Sequence, residues 1–216
     1  MRQSANNKGS DLICLSKDNP PQAFLKGDIL KLDRTQEEME ESQMERRGVV
    51  TINGQPLTLI GPGIKTGDKA PDFKVLDGEL KEIALKDFSG KIKIISVTPS
   101  LDTPVCDLQA RRFNQEASKF SDDVVVLNMS MDLPFAISRF CTSAGIDKVK
   151  AYSDHREASF GTAYGVLIKE LRLLARSIVI IDKNDVVRYV QIVPEVTHHP
   201  DYDTALNTVG KLLDQK

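Results

Sequence analysis

Two periods of apolar spacing run along this chain, and the changes between them predict its elements. Val49-Val-Thr-Ile-Asn53-Gly54-Gln-Pro-Leu-Thr-Leu-Ile60 flanks an Asn-Gly pair with β-branched and apolar residues, the pattern of a β-hairpin. Pro56 has no N–H to donate, so its strand is expected at an edge or with limited pairing. Phe73–Leu76, Ile92-Lys-Ile-Ile-Ser-Val97 and Asp123-Val-Val-Val-Leu-Asn-Met-Ser130 are short apolar runs of buried-strand length. Between the last two, Cys106, Ala110, Phe113, Ala117 and Phe120 fall on one stripe at helical spacing, which predicts a helix over 105–120. A second helix is expected from Met131-Asp-Leu-Pro134, carrying Phe135, Ile137, Phe140 and Cys141 and ending at Ala144-Gly145. A third βα unit follows (149–152 and 157–164), then two antiparallel strands (176–182 and 186–193) and a last helix over 202–213. The order ββ-βαβαβα-ββα is an α/β pattern with a mixed sheet.

Residues 1–47 differ in character. The first 22 are mostly polar and include Pro20-Pro21, which suits a mobile arm. Leu25, Ile29 and Leu32 recur at helical spacing, with Gly27 weakening the pattern. Thr35 and Glu38 form a capping-box pattern opening a short acidic helix, with Arg46 and Arg47 late in it and Gly48 ending it. The expected organisation is an arm over 1–47 and one domain over 48–216.

With 216 residues, 40% of them hydrophobic, the chain can fill one medium core plus an appendage. A formal net charge of −2 supplies no global field for nucleic acid or an anionic membrane. No apolar run approaches the ~20 residues that span a bilayer, and the N-terminus lacks the apolar core of a signal peptide. A cytoplasmic protein without nucleic-acid or membrane partners is the expectation. The three cysteines, Cys14, Cys106 and Cys141, are odd in number and widely spaced, unlike a secreted disulfide framework. With no C-x-x-C pair, neither a zinc ribbon nor a thioredoxin-type dithiol is present.

Chemistry concentrates in Pro99-Ser-Leu-Asp-Thr-Pro-Val-Cys106. Thr103 suits a helix N-cap and Pro104 the first helical position, so Cys106 falls in the first turn, near free N–H groups that favour a thiolate. Read alone, Cys106 is more readily a small buried hydrophobe, Thr103 a cap and Pro99 a strand terminator. Together, Pro99, Thr103 and Cys106 form Pro-x-x-x-Thr-x-x-Cys, which resembles the active-site motif of the peroxiredoxins. Most of 48–216 resembles their atypical two-cysteine branch, the thiol peroxidases, and Gly67-Asp-Lys-Ala-Pro-Asp-Phe73 resembles the entry to that fold.

The resemblance implies a thioredoxin-like (peroxiredoxin) fold with an N-terminal β-hairpin, preceded here by an extra arm. It implies an antioxidant peroxidase acting on hydrogen peroxide or organic hydroperoxides. Cys106 would be the nucleophile, Thr103 would hydrogen-bond peroxide and sulfur, and Pro99 would shield the sulfur. Leu173-Leu-Ala-Arg176 resembles the segment that supplies a cation, which carries that role to Arg176. Arg172 competes on spacing alone, whereas Arg111, Arg112 and Arg139 read as surface residues. Ser138-Arg-Phe-Cys141 resembles the resolving-cysteine segment, 35 positions after Cys106. The implied reductant is thioredoxin, the implied assembly a homodimer, and no metal, haem or flavin is required. Cys14 has no counterpart.

Three rival readings use the same residues. A cysteine hydrolase needs a histidine base, for which His155, His198 and His199 are the candidates. A metal site would combine His198, His199 and a cysteine, although adjacent histidines point apart on an extended chain. A redox-switched sensor or chaperone-like interaction protein would use the disulfide without turnover.

Overall fold

An Asn-Gly turn organises the first part of residues 44–214, the range that the computed structural model describes. Strands β1 (Glu45–Ile52) and β2 (Gln55–Ile60) pair antiparallel across Asn53-Gly54, both left-handed, which closes the expected hairpin. Strand β1 corrects the reading of Arg46, Arg47 and Gly48 as a helix end, and the folded unit starts before residue 48. Gly48 has a positive φ, +69°, and sits in a bulge where the register shifts between Arg47 and Val50 rather than at a helix end. The helical patterns at Leu25–Leu32 and from Thr35, and Cys14, lie outside the described residues.

After the hairpin come β3 (Lys74–Leu76), β4 (Glu82–Ala84), a single 3-10 turn over Leu85–Phe88, and β5 (Ile92–Val97). Helix α1 (Pro104–Ala117), β6 (Val124–Ser130), α2 (Pro134–Ala144), β7 (Lys150–Ser153) and α3 (Ser159–Ala163) follow. The chain continues through β8 (Leu167–Ile168), β9 (Ser177–Ile181), β10 (Val187–Ile192) and α4 (Tyr202–Asp214). Strands β4 and β8 and the 3-10 turn were absent from the sequence expectation, being too short to show a period. Strand β8 pairs with β2 only at Leu59 and Ile60, so Pro56 gives up no bond on that side.

The main sheet runs β10-β9-β5-β6-β7-β3-β4, and β1-β2-β8 form a second, three-stranded one. Every residue of β5 is buried, because β5 pairs in parallel with β6 on one side and antiparallel with β9 on the other. Lys93 is the exception in chemistry: it is fully buried, with its ammonium on the Asp182 carbonyl and the Asp185 carboxylate. The register that matters for function is Val97 opposite both Met129 and Ser177. It brings the loop after β5, the loop after β6, and Arg176, the residue just before β9, to one end of the sheet.

Helix α1 packs its apolar stripe on β5 and β6. Phe113 is fully buried and meets Tyr202 of α4 edge-on at 5.6 Å, a burial that contributes about 1.5–3 kcal/mol. Helix α2 buries Ile137 and ends in a left-handed Gly145 (φ 68°). There the Ile146 N–H bonds the Cys141 carbonyl at 2.9 Å and the Gly145 N–H bonds that of Thr142, a Schellman closure seated on Cys141.

Candidate active site

Cys106 lies in the first turn of α1 with no exposed surface. Thr103 has the extended backbone of an N-cap and Pro104 follows as the first helical residue, yet the Thr103 side chain caps no helix N–H. Its hydroxyl sits 2.8 Å from the Cys106 sulfur and 3.2 Å from the Ser100 carbonyl. One proton cannot serve both acceptors, so an ionised sulfur claims it and a neutral thiol leaves it to Ser100. Pro99 is buried at the end of β5, immediately before this loop.

Arg176 is 2% exposed, the largest of the fully buried side chains, and each of its three nitrogens has an acceptor. Nε donates to the Val196 carbonyl at 2.9 Å, Nη1 to Gln109 Oε1 at 2.7 Å, and Nη2 to Cys106 Sγ at 3.4 Å. A buried guanidinium aimed this way can stabilise charge on sulfur and on an oxygen beside it. Arg172 instead lines a cleft with Glu45, Glu157 and Lys169, and the charge acting with it is that of Asp154. Arg111 pairs with Asp107 and reaches the Ala144 carbonyl, Arg112 pairs with Glu116, and Arg139 stands near Asp102.

Cys141 lies in the last full turn of α2, half-buried against the cluster that holds Ala110, Phe113 and Ile137. Burial pushes its thiol up, so the sulfur stays protonated at neutral pH. Cys106 and Cys141 are both free thiols. The side-chain bonds of His155 and His199 go to residues other than Cys106: His155 Nδ1 is 2.8 Å from Ser153 Oγ, and His199 Nδ1 is 3.0 Å from the Tyr202 hydroxyl. Among the described residues no three His, Cys, Asp or Glu side chains converge as a metal cage.

The Redoxin family model matches residues 65–206. A thiol peroxidase of Halalkalibacterium halodurans is 54% identical over 164 residues, covering 76% of this chain and 98% of that one. The thiol peroxidase of Bacillus subtilis is 53% identical over the same length and coverage. Among solved structures, a peroxiredoxin-like protein from Aquifex aeolicus superposes with a TM-score of 0.72 at 42% identity, over 78% of this chain and 98% of that one. The chain belongs to the redoxin family, in its thiol peroxidase group. It is a peroxidase with a thioredoxin-like α/β fold.

Within the thiol peroxidase frame, several side chains at the site escaped the sequence reading. Gln109, fully buried on α1, gives Nε2 to Ser96 Oγ at 2.8 Å and to the Val97 carbonyl at 3.3 Å while it accepts from Arg176. Tyr202 opens α4 beside this site; burial pushes its hydroxyl up, with Arg176 and Arg112 pulling the other way. Glu195 fixes the loop that supplies the Val196 carbonyl. Its carboxylate accepts from the Thr51 hydroxyl at 2.8 Å and from the Asn53 and Gly54 amides at 3.0 and 3.1 Å. Those bonds hold it down at about 2. Thr51 closes the seam through its own backbone, donating to Pro194 and accepting from Val196. The N-terminal hairpin thereby braces the loop that holds Arg176.

Proposed function

We propose that Cys106 is the peroxidatic nucleophile, resolved by Cys141 into an intramolecular disulfide that thioredoxin reduces. The observation that carries this reading is the convergence of the Thr103 hydroxyl and the Arg176 guanidinium on one buried sulfur. The Cys106 thiolate attacks the terminal oxygen of a hydroperoxide: an S–O bond forms, the O–O bond breaks, and the alkoxide leaves with a proton as an alcohol or water. Sulfur loses two electrons and the peroxide gains them. Arg176 stabilises charge on the leaving oxygen, Thr103 orients the peroxide, and buried Pro99 keeps water from the sulfur.

Resolution joins Cys141 sulfur to Cys106 sulfur and releases the sulfenic oxygen as water. The two thiols start on different helices, and Cys141 is held by the Schellman closure and by the Arg111 bond to Ala144. Local unwinding at the end of α2 breaks these contacts, which also lets the buried Cys141 thiol ionise. One thioredoxin thiolate then attacks the disulfide to form a mixed disulfide and release one cysteine. The second thioredoxin thiol displaces the other, leaving thioredoxin oxidised and both cysteines reduced. The organisation proposed is this catalytic domain behind an N-terminal arm, in the cytoplasm. A homodimer is proposed as well, supported by exposed Leu108, Leu133 and Phe135 on or beside the helices that carry the cysteines.

Steady-state turnover with thioredoxin and hydrogen peroxide tests the scheme. Cys106→Ser should consume no peroxide, and Cys141→Ser should attack one equivalent and stall. Sustained wild-type turnover by Cys141→Ser contradicts the two-cysteine scheme. A disulfide that forms without turnover favours a redox switch instead.

A further inference from the structure

Asp132 takes no part in the chemistry above, yet it is bonded to the loop that carries it. It lies between β6 and α2, two residues ahead of Pro134. One carboxylate oxygen accepts from Ser100 Oγ at 2.7 Å and the other from the Leu101 N–H at 2.8 Å. Two buried serines fix Asp132 from behind: its N–H donates to Ser130 Oγ at 3.3 Å, and its carbonyl accepts from Ser153 Oγ. Ser100 in turn offers its carbonyl to the Thr103 N–H and to the Thr103 hydroxyl, the group that faces Cys106. With the sulfur ionised, the connection from the start of the Cys141 helix runs from Asp132 to Ser100, from the Ser100 carbonyl to the Thr103 N–H, and from the Thr103 hydroxyl to the Cys106 sulfur.

We propose that Asp132 is a positioning residue that ties the approach to the Cys106 helix to the approach to the Cys141 helix, holding the pair in the arrangement that attacks peroxide. The proposal rests on the two-cysteine reading above. Its first consequence is geometric. Without the carboxylate, Ser100 and Leu101 lose their shared anchor, the turn that aims Thr103 loosens, and attack on peroxide slows. Its second consequence is opposite in sign. On this reading, bringing Cys141 to Cys106 moves the Cys141 helix against the start of the Cys106 helix as its end unwinds. The same tie resists that movement and delays resolution. Releasing it shortens the life of the sulfenic acid, which is the species that a second hydroperoxide converts to sulfinic acid with release of water or alcohol.

Three proteins test this: wild type, Asp132→Ala and Asp132→Asn. The asparagine can accept from the Leu101 N–H and donate to Ser100 Oγ, so it keeps both bonds without the charge. The rate of the first step with hydrogen peroxide is read by rapid mixing, and the sulfinic fraction per turnover by mass spectrometry. Asp132→Ala should slow the first step by about tenfold or more and lower the sulfinic fraction several-fold, and Asp132→Asn should recover most of both. An Asp132→Ala that melts earlier but keeps the wild-type rate and sulfinic fraction makes the residue merely structural and overturns the proposal. So does an Asp132→Asn as impaired as the alanine. If the alanine variant does not fold, Ser100→Ala removes one of the two bonds and should show the same pair of effects at smaller size. A wild type whose Cys106 consumes no peroxide rejects the proposed function itself. A wild type that does, beside an unchanged Asp132→Ala, rejects only the role of Asp132.

Discussion

Gln109→Met removes the amide that holds Arg176 while nearly preserving side-chain length, so it separates polar anchoring from packing. Gln109 is fully buried and makes three contacts: Arg176 Nη1 at 2.7 Å, Ser96 Oγ at 2.8 Å and the Val97 carbonyl at 3.3 Å. The bond to the guanidinium is charged and contributes about 1.5–3 kcal/mol, the serine bond about 1 kcal/mol, and the long third contact little. The expected loss is therefore about 3 kcal/mol, most of it from leaving a buried cationic N–H without an acceptor. Urea denaturation of the reduced protein reads this as a midpoint lower by about 1–2 M at unchanged slope. The freed guanidinium no longer holds Nη2 on the sulfur, so the first step with peroxide should slow by about tenfold. Gln109→Glu restores an acceptor and recovers stability, but its charge competes with the thiolate for Arg176, so it should stay slow. A Gln109→Met protein with a midpoint within about 0.2 M of wild type and an unchanged peroxide rate refutes the anchoring argument.

Glu195→Ala should loosen the Val196 carbonyl from Arg176 and lower the alkylation rate of Cys106 by iodoacetamide several-fold. Because Glu195 is held at about 2, its bonding is complete above the ordinary carboxylate range and is lost only as pH falls through about 2. The deficit should accordingly be constant from about pH 5 to 8. Asp154, 1% exposed, caps α3 through the Phe160 and Gly161 amides, yet burial outweighs those bonds and pushes its carboxyl up to about 6. A raised carboxyl binds its proton more tightly folded than unfolded, so its contribution is greatest below about pH 4 and declines as pH rises to about 6. Denaturation from pH 4 to 7 should show Asp154→Asn gaining about 2–3 kcal/mol on wild type across that interval. A constant difference contradicts the assignment.

The elements with a sustained period or a strong turn pair were legible in the sequence. The Asn53-Gly54 hairpin, β5, β6 and both cysteine-bearing helices stand where the pattern puts them. Strands of two or three residues such as β8 and β4 exist only through their partners, so no local pattern announces them. Gly48 shows how one local preference serves two structures, since a left-handed glycine ends a helix or makes a bulge. The candidate site divides the same way. Cys106, Thr103 and Pro99 are local to one motif, and Arg176 came from resemblance of its segment. Gln109 left a signal, a polar side chain on the apolar stripe of α1 three residues after Cys106. Asp132 and Glu195 left none. Asp132 reaches 31 residues back to Leu101 and Glu195 reaches 142 residues back to Asn53, and only the strand register brings those segments together.

One equivalent of hydrogen peroxide, added to the fully reduced protein without a reductant and followed by intact and peptide mass spectrometry, tests the central claim most directly. The account predicts a loss of about 2 Da and a single cross-linked peptide pair joining Cys106 to Cys141, with Cys14 still alkylatable. In Cys141→Ser it predicts a gain of about 16 Da confined to Cys106. A wild-type disulfide through Cys14, or Cys106 left as a stable sulfenic acid while Cys141 stays free, contradicts it.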